Sequence, residues 1–388
     1  MTEELHNILH YWQTHAVDEA NGGFHGSLND ANEVKYGAAK GAVLNSRILW
    51  AFSAAFNFDH DESWLRLATR AYDYLQQHFR DVRYDGVYWS VNANGDPLET
   101  RKLVYAQAFA IYALSEYCKC TSDEAPRAWA IDLYERLQRH AFDPRRNGYF
   151  SGFPREWRRT FANLRRIRDY NPDKTVDTHL HVLEAYANLY RVWPDAALRT
   201  QIVALVRAFT DRFVDRETHH LRQDFDASWR SRSRRIAYGH DIEAAWLLLD
   251  AAGLLDDWEL THAVKATSIA LIDAAARGLE ENGGMRHEYD PGTGRINAQK
   301  IWWVQAEAML GFFSGYQVTG DERYLQQSLR SWEFVQNYLR DEEHGEWHLG
   351  VTADLQVIAG KEKVGFWKCP YHNGRACLEI ARRIGEMS

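Results

Sequence analysis

Cysteine and proline are scarce in this sequence, and their scarcity excludes several classes of protein. Only 4 of the 388 residues are Cys, and Cys118, Cys120, Cys369 and Cys377 lack the C-x-x-C spacing of a zinc site. Four thiols in so long a chain do not make a disulfide scaffold, so we expect them to be reduced. With just 8 Pro and 45% hydrophobic residues, the chain is neither disordered nor of low complexity.

An excess of basic charge and long apolar runs are also missing. Lys and Arg total 46 against 54 Asp and Glu, a net charge of -8, and we therefore expect no nucleic-acid partner. No run of about 18 apolar residues predicts a membrane span. The first residues lack the basic and apolar regions of a secretory signal, so we expect a cytoplasmic protein that does not bind membranes.

A repeat of about sixty residues organises the chain. Clusters of glycine and aromatic residues recur along it. Their marker glycines lie at intervals of 63, 62, 136 and 61 residues: Gly23, Gly86, Gly148, Gly284 and Gly345. The interval of 136 is about two periods, and it contains a degenerate copy at residues 219–225. Six units of this kind are typical of a repeat architecture.

Each unit is predicted to contribute two helices. Between the clusters, apolar residues recur at i, i+3, i+4 and i+7, as in residues 103–117 and 306–316. Each glycine cluster indicates a short hairpin between helices. A Rossmann sheet is disfavoured, because no G-x-G-x-x-G motif follows a predicted strand.

The two ends of the chain favour a closed ring over an open solenoid. Neither end resembles a polar cap, since Trp12 and Phe24 lie near one end and Trp367 and Tyr371 near the other. The predicted fold class is therefore all-α: a single (α/α)6-barrel domain over residues 1–388, built from six helix pairs with hairpins at one end.

Polar and aromatic residues occur at one phase of the repeat, where the helix after each hairpin begins. In a closed ring these segments meet at one end, so each unit would supply one or two groups to a central pocket. Helical spacing supports this, because residues three or four apart share a helix face. The segments are residues 45–50, 105–107, 177–181, 239–243, 302–307 and 366–373.

Each of these residues also has a structural explanation. A His on an amphipathic helix is more often a hydrogen-bonded structural residue, and Trp303 and Trp367 would be core residues in a chain with 15 Trp. Glu243 and Glu307 would fix neighbouring helices or pair with Arg375. Convergence at one phase of the repeat nevertheless favours a site.

The residue types favour proton transfer on a carbohydrate. His is the natural proton shuttle near neutral pH, and several aromatic rings could stack on sugar faces. A glycosidase would instead use two carboxylates, and its candidates are Asp177, Asp241, Glu243 and Glu307. Proton abstraction next to a carbonyl, in aldose isomerisation or epimerisation, accounts better for a site at least as rich in His as in acid.

Metal and nucleophilic catalysis are less favoured. His179 and His181 form an H-x-H, but residues two apart on a helix point about 200° apart. His240, His372 and a carboxylate could still bind an ion. No G-x-S-x-G motif supports a nucleophilic serine.

Several longer motifs resemble the sugar 2-epimerases of the N-acylglucosamine 2-epimerase superfamily, and especially those that act on cellobiose. They are residues 44–50, 105–112, 178–193, 239–243, 302–307 and 367–375. The resemblance runs from about Leu5 to Ile384. It implies an (α/α)6 barrel and an isomerase, without cofactor or metal, that inverts C2 of the reducing-end sugar of a β-1,4 disaccharide through a cis-enediolate.

The same resemblance implies four catalytic residues. His240 and His372 would be the acid/base pair that removes the C2 proton from one face and returns it to the other. His372 would also assist ring opening, and His181 would lie near O1 or O5. Arg47 would hold the oxygen that becomes anionic. Such a pair must start in opposite protonation states, so we expect a bell-shaped pH profile.

It also implies a set of substrate-binding residues around that pair. Glu243 would orient His240, and Glu307 would support the site from behind. Trp303 and Trp367 would be sugar platforms, with Trp367 nearest the second glucosyl unit. The full set is Tyr105, Asp177, Glu243, Trp303, Glu307 and Trp367.

Two positions depart from the family pattern. Asp177 stands where disaccharide epimerases carry Asn, which could change a contact with a sugar hydroxyl or raise the proton affinity of His181. Val304 replaces the Pro after the Trp pair, which would alter the rim near Trp303. A mannose 2-epimerase, a mannose–fructose isomerase and a non-enzymatic carbohydrate-binding protein therefore stay open. We expect a monomer whose partner is the sugar alone.

Overall fold

A computed structural model of the protein describes residues 1–121, 123–158 and 173–387. The helices in these residues are α1 (Thr2–His15), α2 (Ala42–Asp59), α3 (Glu62–Tyr74), α4 (Val104–Cys120), α5 (Ala125–His140), α6 (Val176–Val192), α7 (Ala196–Ala208), α8 (Tyr238–Gly253), α9 (Trp258–Ala275), α10 (Trp302–Thr319), α11 (Glu322–Phe334) and α12 (His372–Met387). Single π or 3₁₀ turns follow four of them, at Leu75–Phe79, Phe209–Phe213, Ala276–Gly278 and Val335–Leu339.

The strands are short and lie between the helices. They are β1 (Lys40–Gly41), β2 (Ser90–Val91), β3 (Pro97–Glu99), β4 (Lys102–Leu103), β5 (Gly152–Phe153), β6 (Lys174–Thr175), β7 (Asp224–Phe225), β8 (Ile236–Ala237), β9 (Glu288–Asp290), β10 (Arg295–Asn297), β11 (Lys300–Ile301) and β12 (Gly350–Val351).

The helices form two concentric rings. The even-numbered helices make the inner ring, in which each helix packs on the next and α12 packs on α2. Every odd-numbered helix packs from outside mainly on one inner helix, and α3, α5, α7 and α9 also contact the next one. An antiparallel bridge between Leu28 and Val364 joins the first and last units. The predicted (α/α)6 barrel is confirmed.

The burial pattern of each helix matches its ring. In α2, every residue from Ala42 to Ala55 is buried, as expected of a helix covered on all sides. In α3, by contrast, the buried residues Trp64, Ala68, Ala71 and Tyr72 form one stripe. None of the helices in the described residues has the length and apolar character that a membrane span requires.

The two kinds of helix also begin differently. Four outer helices begin after an Asp whose side chain accepts a backbone N–H of the first turn: Asp61, Asp195, Asp257 and Asp321. Five inner helices instead follow a two-residue strand that pairs antiparallel with a strand of the next unit. These pairings hold the first turns of the inner helices at one end of the barrel.

The predicted hairpins occur in all six units. Each contains an antiparallel bridge, at Val17–Phe24, Arg80–Val87, Phe142–Tyr149, Val214–Leu221, Leu279–Met285 and Arg340–Trp347. The fourth copy keeps its bridge although His220 stands where the second and third copies have Gly86 and Gly148. The residue before it, His219, adopts a φ of 62°, as Asp85 (61°) and Asn147 (64°) do before those glycines. The degenerate copy is therefore a true repeat unit.

Buried ion pairs support five of the hairpins, a feature that the sequence did not predict. In each, a Lys that precedes an inner helix meets an acidic residue at the start of the preceding hairpin; the Lys lies two residues before the helix in four units and nine residues before it in the last. The pairs are Lys40–Asp18 (2.8 Å), Lys102–Asp81 (2.9 Å), Lys174–Asp143 (2.8 Å), Lys300–Glu280 (2.8 Å) and Lys363–Asp341 (2.5 Å). These lysines are almost completely buried, so each pair ties a hairpin to the inner ring.

Gly148→Ala is expected to destabilise the protein by about 2–4 kcal/mol. Gly148 has a φ of +83°, and an added Cβ would lie 2.6 Å from Trp229 and 2.7 Å from His179. Gly37 has the same φ but no atom within 4 Å of such a Cβ, so Gly37→Ala should cost only about 1 kcal/mol. Chemical denaturation measures both, and equal losses would show that the contacts around Gly148 carry no weight.

Candidate active site

The first turns of the inner helices surround a cavity of about 330 Å³, a volume near the lower end for small-molecule pockets. Every inner helix contributes to its wall. Nine of the ten predicted site residues line it: Arg47, Tyr105, Asp177, His181, His240, Glu243, Trp303, Trp367 and His372. The tenth, Glu307, lies behind His372 and accepts a hydrogen bond from its ring.

Three histidines in the cavity wall are held in the same way. In each, Nδ1 hydrogen-bonds a side-chain oxygen behind the cavity wall, which leaves Nε2 as the nitrogen that can meet a ligand. The pairs are His181 with Glu184 (3.1 Å), His240 with Gln223 (2.8 Å) and His372 with Glu307 (2.7 Å). The rings are thus oriented before any ligand binds.

His240 and His372 have opposite protonation preferences. Burial alone would lower the pKa of His240, but the Asp177 carboxylate, 2.8 Å from Nε2, raises that pKa to about 8. Burial, together with the cations of Arg47 and Arg375, holds the pKa of His372 well below its ordinary value. At neutral pH one ring is therefore a proton donor and the other a proton acceptor.

Aromatic rings line the space between and above these groups. Trp303 packs against both histidines, with ring centroids 5.1 Å from His240 and 5.5 Å from His372. Trp367 lies 5.8 Å from both Trp89 and Tyr105, and it is 48% exposed. The cavity thus has an aromatic wall inside and an aromatic surface that continues toward solvent.

Arg47 places a buried positive charge at the cavity. Its Nη2 donates to the Tyr105 hydroxyl (2.9 Å) and its Nη1 to the Trp367 carbonyl (3.3 Å). The guanidinium also packs over the rings of Phe109 and Tyr371. Within the residues that the structure describes, no carboxylate forms an ion pair with it, so its charge remains available to an anionic ligand oxygen.

A network centred on Arg375 lies beneath the cavity. Arg375 donates to Glu184, to Glu243 (2.8 Å) and to Glu307 (2.6 Å). The pairing of Glu243 and Glu307 with Arg375 is the structural role that the sequence analysis allowed for them. Glu243 was predicted to orient His240, but its partner is Arg375, and Gln223 and Asp177 hold that ring instead. Burial and the nearby Glu307 raise the pKa of Glu243 to about 8.

One group of side chains in the described residues has the spacing of a metal site. Atoms of Glu243, Glu307 and His372 lie within 4.8 Å of one another; His240, which the sequence allowed as a ligand, is not among them. The guanidinium of Arg375 already supplies positive charge to both carboxylates. An ion here would have to compete with that guanidinium.

His179 and Asp241, the candidates for a metal site and a glycosidase site respectively, both form hydrogen bonds within the fold. His179 accepts the Tyr149 N–H at Nε2 (2.8 Å) and hydrogen-bonds the Thr175 carbonyl through Nδ1 (2.7 Å), so His179 and His181 do diverge. Asp241 accepts the Leu221 N–H (2.7 Å). Both residues hold hairpins in place.

The structural effects of the two departures from the family pattern, at Asp177 and Val304, differ from those expected from the sequence. Asp177 was expected to act on His181, one turn along its own helix, but its hydrogen-bond partner is His240 on α8. Val304 was expected to alter the rim near Trp303, but it is fully buried. The change at Val304 therefore concerns packing beneath the rim.

Sequence reasoning missed several residues of the site. The cavity is also lined by Trp89, Leu103, Ser151, Thr175, Thr178 and Trp302. Trp89 closes the second glycine cluster, and Gln223 lies in the degenerate fourth copy. Because the hairpins sit at the same end as the first turns of the inner helices, hairpin residues could have been considered as candidates.

Comparison with known proteins points to one family. Residues 22–376 of this chain match the N-acylglucosamine 2-epimerase (GlcNAc 2-epimerase) family. A cellobiose 2-epimerase from Bacteroides fragilis is 43% identical over 96% of this chain and 95% of that protein. Another, from Ruminococcus albus, is 35% identical over 97% of this chain and 96% of that protein.

Solved structures agree. That of the cellobiose 2-epimerase from Bacillus thermoamylovorans has a TM-score of 0.90 at 36% identity, covering 99% of this chain and 100% of that chain. A D-mannose isomerase, at a TM-score of 0.87 and 20% identity over 98% of this chain and 97% of that chain, shares the fold. This chain therefore belongs to the N-acylglucosamine 2-epimerase family.

Proposed function

We propose that the protein is a sugar 2-epimerase that inverts C2 of the reducing-end sugar of a β-1,4 disaccharide, converting cellobiose to glucosyl-mannose. The observation that carries this proposal is the pair of cavity histidines that both pack against Trp303, one with a raised and one with a lowered pKa. Inversion at a carbon next to a carbonyl needs such an acid and base. The names of the related proteins support the same substrate class.

In this mechanism the sugar ring opens first, with His372 assisting, so that C1 becomes an aldehyde. A neutral histidine then takes the proton from C2, and the electron pair moves to form a cis-enediolate. The protonated histidine on the other side returns a proton to the opposite face of C2. For the epimer that presents C2–H to His372, that residue is the base and His240 the acid.

Arg47 stabilises the intermediate in this proposal. The negative charge that develops on the sugar oxygen would meet a buried guanidinium that no carboxylate in the described residues neutralises. A donor placed in advance in a water-poor site contributes about 3–4 kcal/mol to such a transition state. Tyr105, which accepts a hydrogen bond from Arg47, would contact the same end of the sugar.

The aromatic mouth favours a disaccharide over free mannose. Trp367 extends from the cavity into solvent, where a second glucosyl ring bonded to the reacting sugar would lie. Trp367→Ala should therefore raise KM for cellobiose about tenfold and change KM for mannose much less. Trp258→Ala is the matched control, because Trp258 is 78% exposed on outer helix α9. Equal effects on both sugars would contradict a second-ring role.

Proton NMR in D2O tests the function directly. EDTA-treated protein is mixed with cellobiose and with mannose in separate tubes. Loss of the C2 proton and appearance of glucosyl-mannose in the cellobiose tube is expected. Glucose from mannose alone would indicate a mannose epimerase, fructose would indicate an isomerase, and no reaction in either tube would contradict the proposal.

We further propose that the whole chain is one catalytic domain. All six inner helices supply residues to the one cavity, so no part of the ring could be removed without opening it. The proposed chemistry moves only protons, which the protein's own side chains can carry, so it needs neither cofactor nor metal. We expect the protein to act as a monomer in the cytoplasm.

A further inference from the structure

Both ring nitrogens of His240 are engaged in the unliganded protein. Nδ1 hydrogen-bonds the Gln223 side chain at 2.8 Å, and Nε2 lies 2.8 Å from Oδ1 of Asp177. Asp177 lies in the first turn of α6 and His240 in that of α8, so the pair spans two neighbouring inner helices. Both residues line the cavity, with side chains 48% and 17% exposed respectively.

This geometry restricts how His240 can reach a sugar. Gln223 holds Nδ1 from behind, so Nε2 is the nitrogen that must exchange a proton with C2. Proton transfer requires the donor and acceptor atoms to come within hydrogen-bond distance. While the carboxylate occupies Nε2, the carbon cannot approach that atom along the same line.

We propose that Asp177 is a positioning residue that gates His240: it holds Nε2 in an ion pair until the sugar displaces it, and only then can His240 exchange a proton with C2. This inference rests on the proposed function, because it assigns the acid of that reaction to His240. It makes Asp177 a determinant of the pH range over which the free enzyme is active.

The charges around His240 single out Asp177. The titratable groups that face His240 from the packed elements are Asp177, Asp224, Arg235, Asp241, Glu243 and His287. Burial opposes the charged form of His240, and the strongest opposing influence is the Asp177 carboxylate. The pairing is reciprocal: burial opposes the charged form of Asp177, but His240, together with His181 and Arg235, lowers the pKa of Asp177 to about 2.

The sign of the expected pH effect follows from this pairing. Because Asp177 raises the pKa of His240 to about 8, His240 keeps its proton up to that pH in the free protein. In Asp177→Asn the carboxylate is gone while burial remains, so the alkaline limb of kcat/KM should move to lower pH by about one unit or more.

The gate itself predicts a difference between two profiles of the wild-type enzyme. The profile of kcat/KM reports the free enzyme, in which Asp177 is paired, whereas that of kcat reports the complex. If the sugar displaces Asp177, the alkaline limb of kcat should lie at lower pH than that of kcat/KM. In Asp177→Asn the two limbs should coincide. Asp177→Glu, which restores the charge, should return part of the separation.

Asp224→Asn is the matched control. Asp224 is close enough to His240 to influence its charge, but it forms neither of the two hydrogen bonds of that ring. Its removal should shift the alkaline limb much less than removal of Asp177. An equal shift would mean that the summed negative charge around His240, and not the Asp177 ion pair, sets the pH of the alkaline limb. The proposal would then fail.

An NMR titration of His240 separates this inference from the proposed function, because it needs no turnover. The imidazole signal is assigned by its loss in His240→Gln and titrated with and without cellobiose reduced to its alditol, which has no carbonyl to react. In wild type the alditol should lower the pKa of His240, and in Asp177→Asn it should not. An unchanged pKa in wild type with the alditol bound would overturn the gate, whether or not cellobiose is epimerised.

Discussion

Replacing either His240 or His372 by Gln should lower the rate of epimerisation at C2 about 10²–10⁴-fold. In each variant one histidine remains on one face of the sugar. That residue can remove a proton and return one to the same face, so the C2 proton should exchange with solvent without inversion. His240→Gln should exchange the epimer that presents C2–H to His372. His372→Gln should exchange the other, but more slowly, because His372 also assists ring opening.

Proton NMR in D2O with cellobiose and with glucosyl-mannose measures both outcomes. The matched control is His287→Gln, because His287 lies near the same Trp303, at 6.1 Å between ring centroids, but does not line the cavity. It should keep most of the wild-type rate. The acid/base assignment would be wrong if either cavity variant retained full turnover, or if both variants exchanged both epimers.

Arg375→Met should destabilise the protein by about 3–5 kcal/mol at neutral pH. The change leaves Glu184, Glu243 and Glu307 without the cation that joins them, and all three carboxylates are buried. Uncompensated charge in a low-dielectric interior carries a large cost, whereas the exposed surface of the protein is unaffected. The loss should appear as a lower midpoint of urea denaturation.

The destabilisation should depend on pH with a definite sign. Burial raises the pKa of all three carboxyl groups and Arg375 lowers it, so loss of Arg375 raises those pKa values in the folded state while the unfolded chain is unaffected. Folding of the variant then favours the protonated groups, so its deficit should shrink as pH falls from 7 toward 5 and grow as pH rises. A deficit that is constant with pH would contradict the electrostatic explanation.

Arg382→Met is the matched control for this experiment. Arg382 lies two turns further along α12 and pairs with Glu379 and Glu386, but its side chain is 44% exposed. Exposed pairs contribute about 0–1 kcal/mol, so its loss should change the midpoint little. A similar loss in both variants would indicate that α12 tolerates no replacement of Arg by Met.

The repeat and its consequences were determined by the sequence alone. Apolar spacing and glycine clusters are local patterns, because they reflect which helix face is buried and where a turn needs a left-handed residue. Six copies therefore predicted six helix pairs, and the lack of a polar cap at either end favoured a closed ring. The common phase of the polar residues then placed the first turns of the inner helices at one end. The pattern tolerated loss of the glycine in the fourth unit, where the Val214–Leu221 bridge still forms.

The partners of the charged side chains were decided only by the tertiary structure. The family resemblance implied that Glu243 orients His240, and one possibility for Asp177 was an effect on His181 one turn away. In the structure Asp177 meets His240 and Glu243 meets Arg375. Hydrogen bonds and ion pairs weaken steeply with distance and angle. Which side chains meet therefore depends on how neighbouring helices are rotated and spaced around the ring, and helical periodicity within a single segment carries no information about that arrangement.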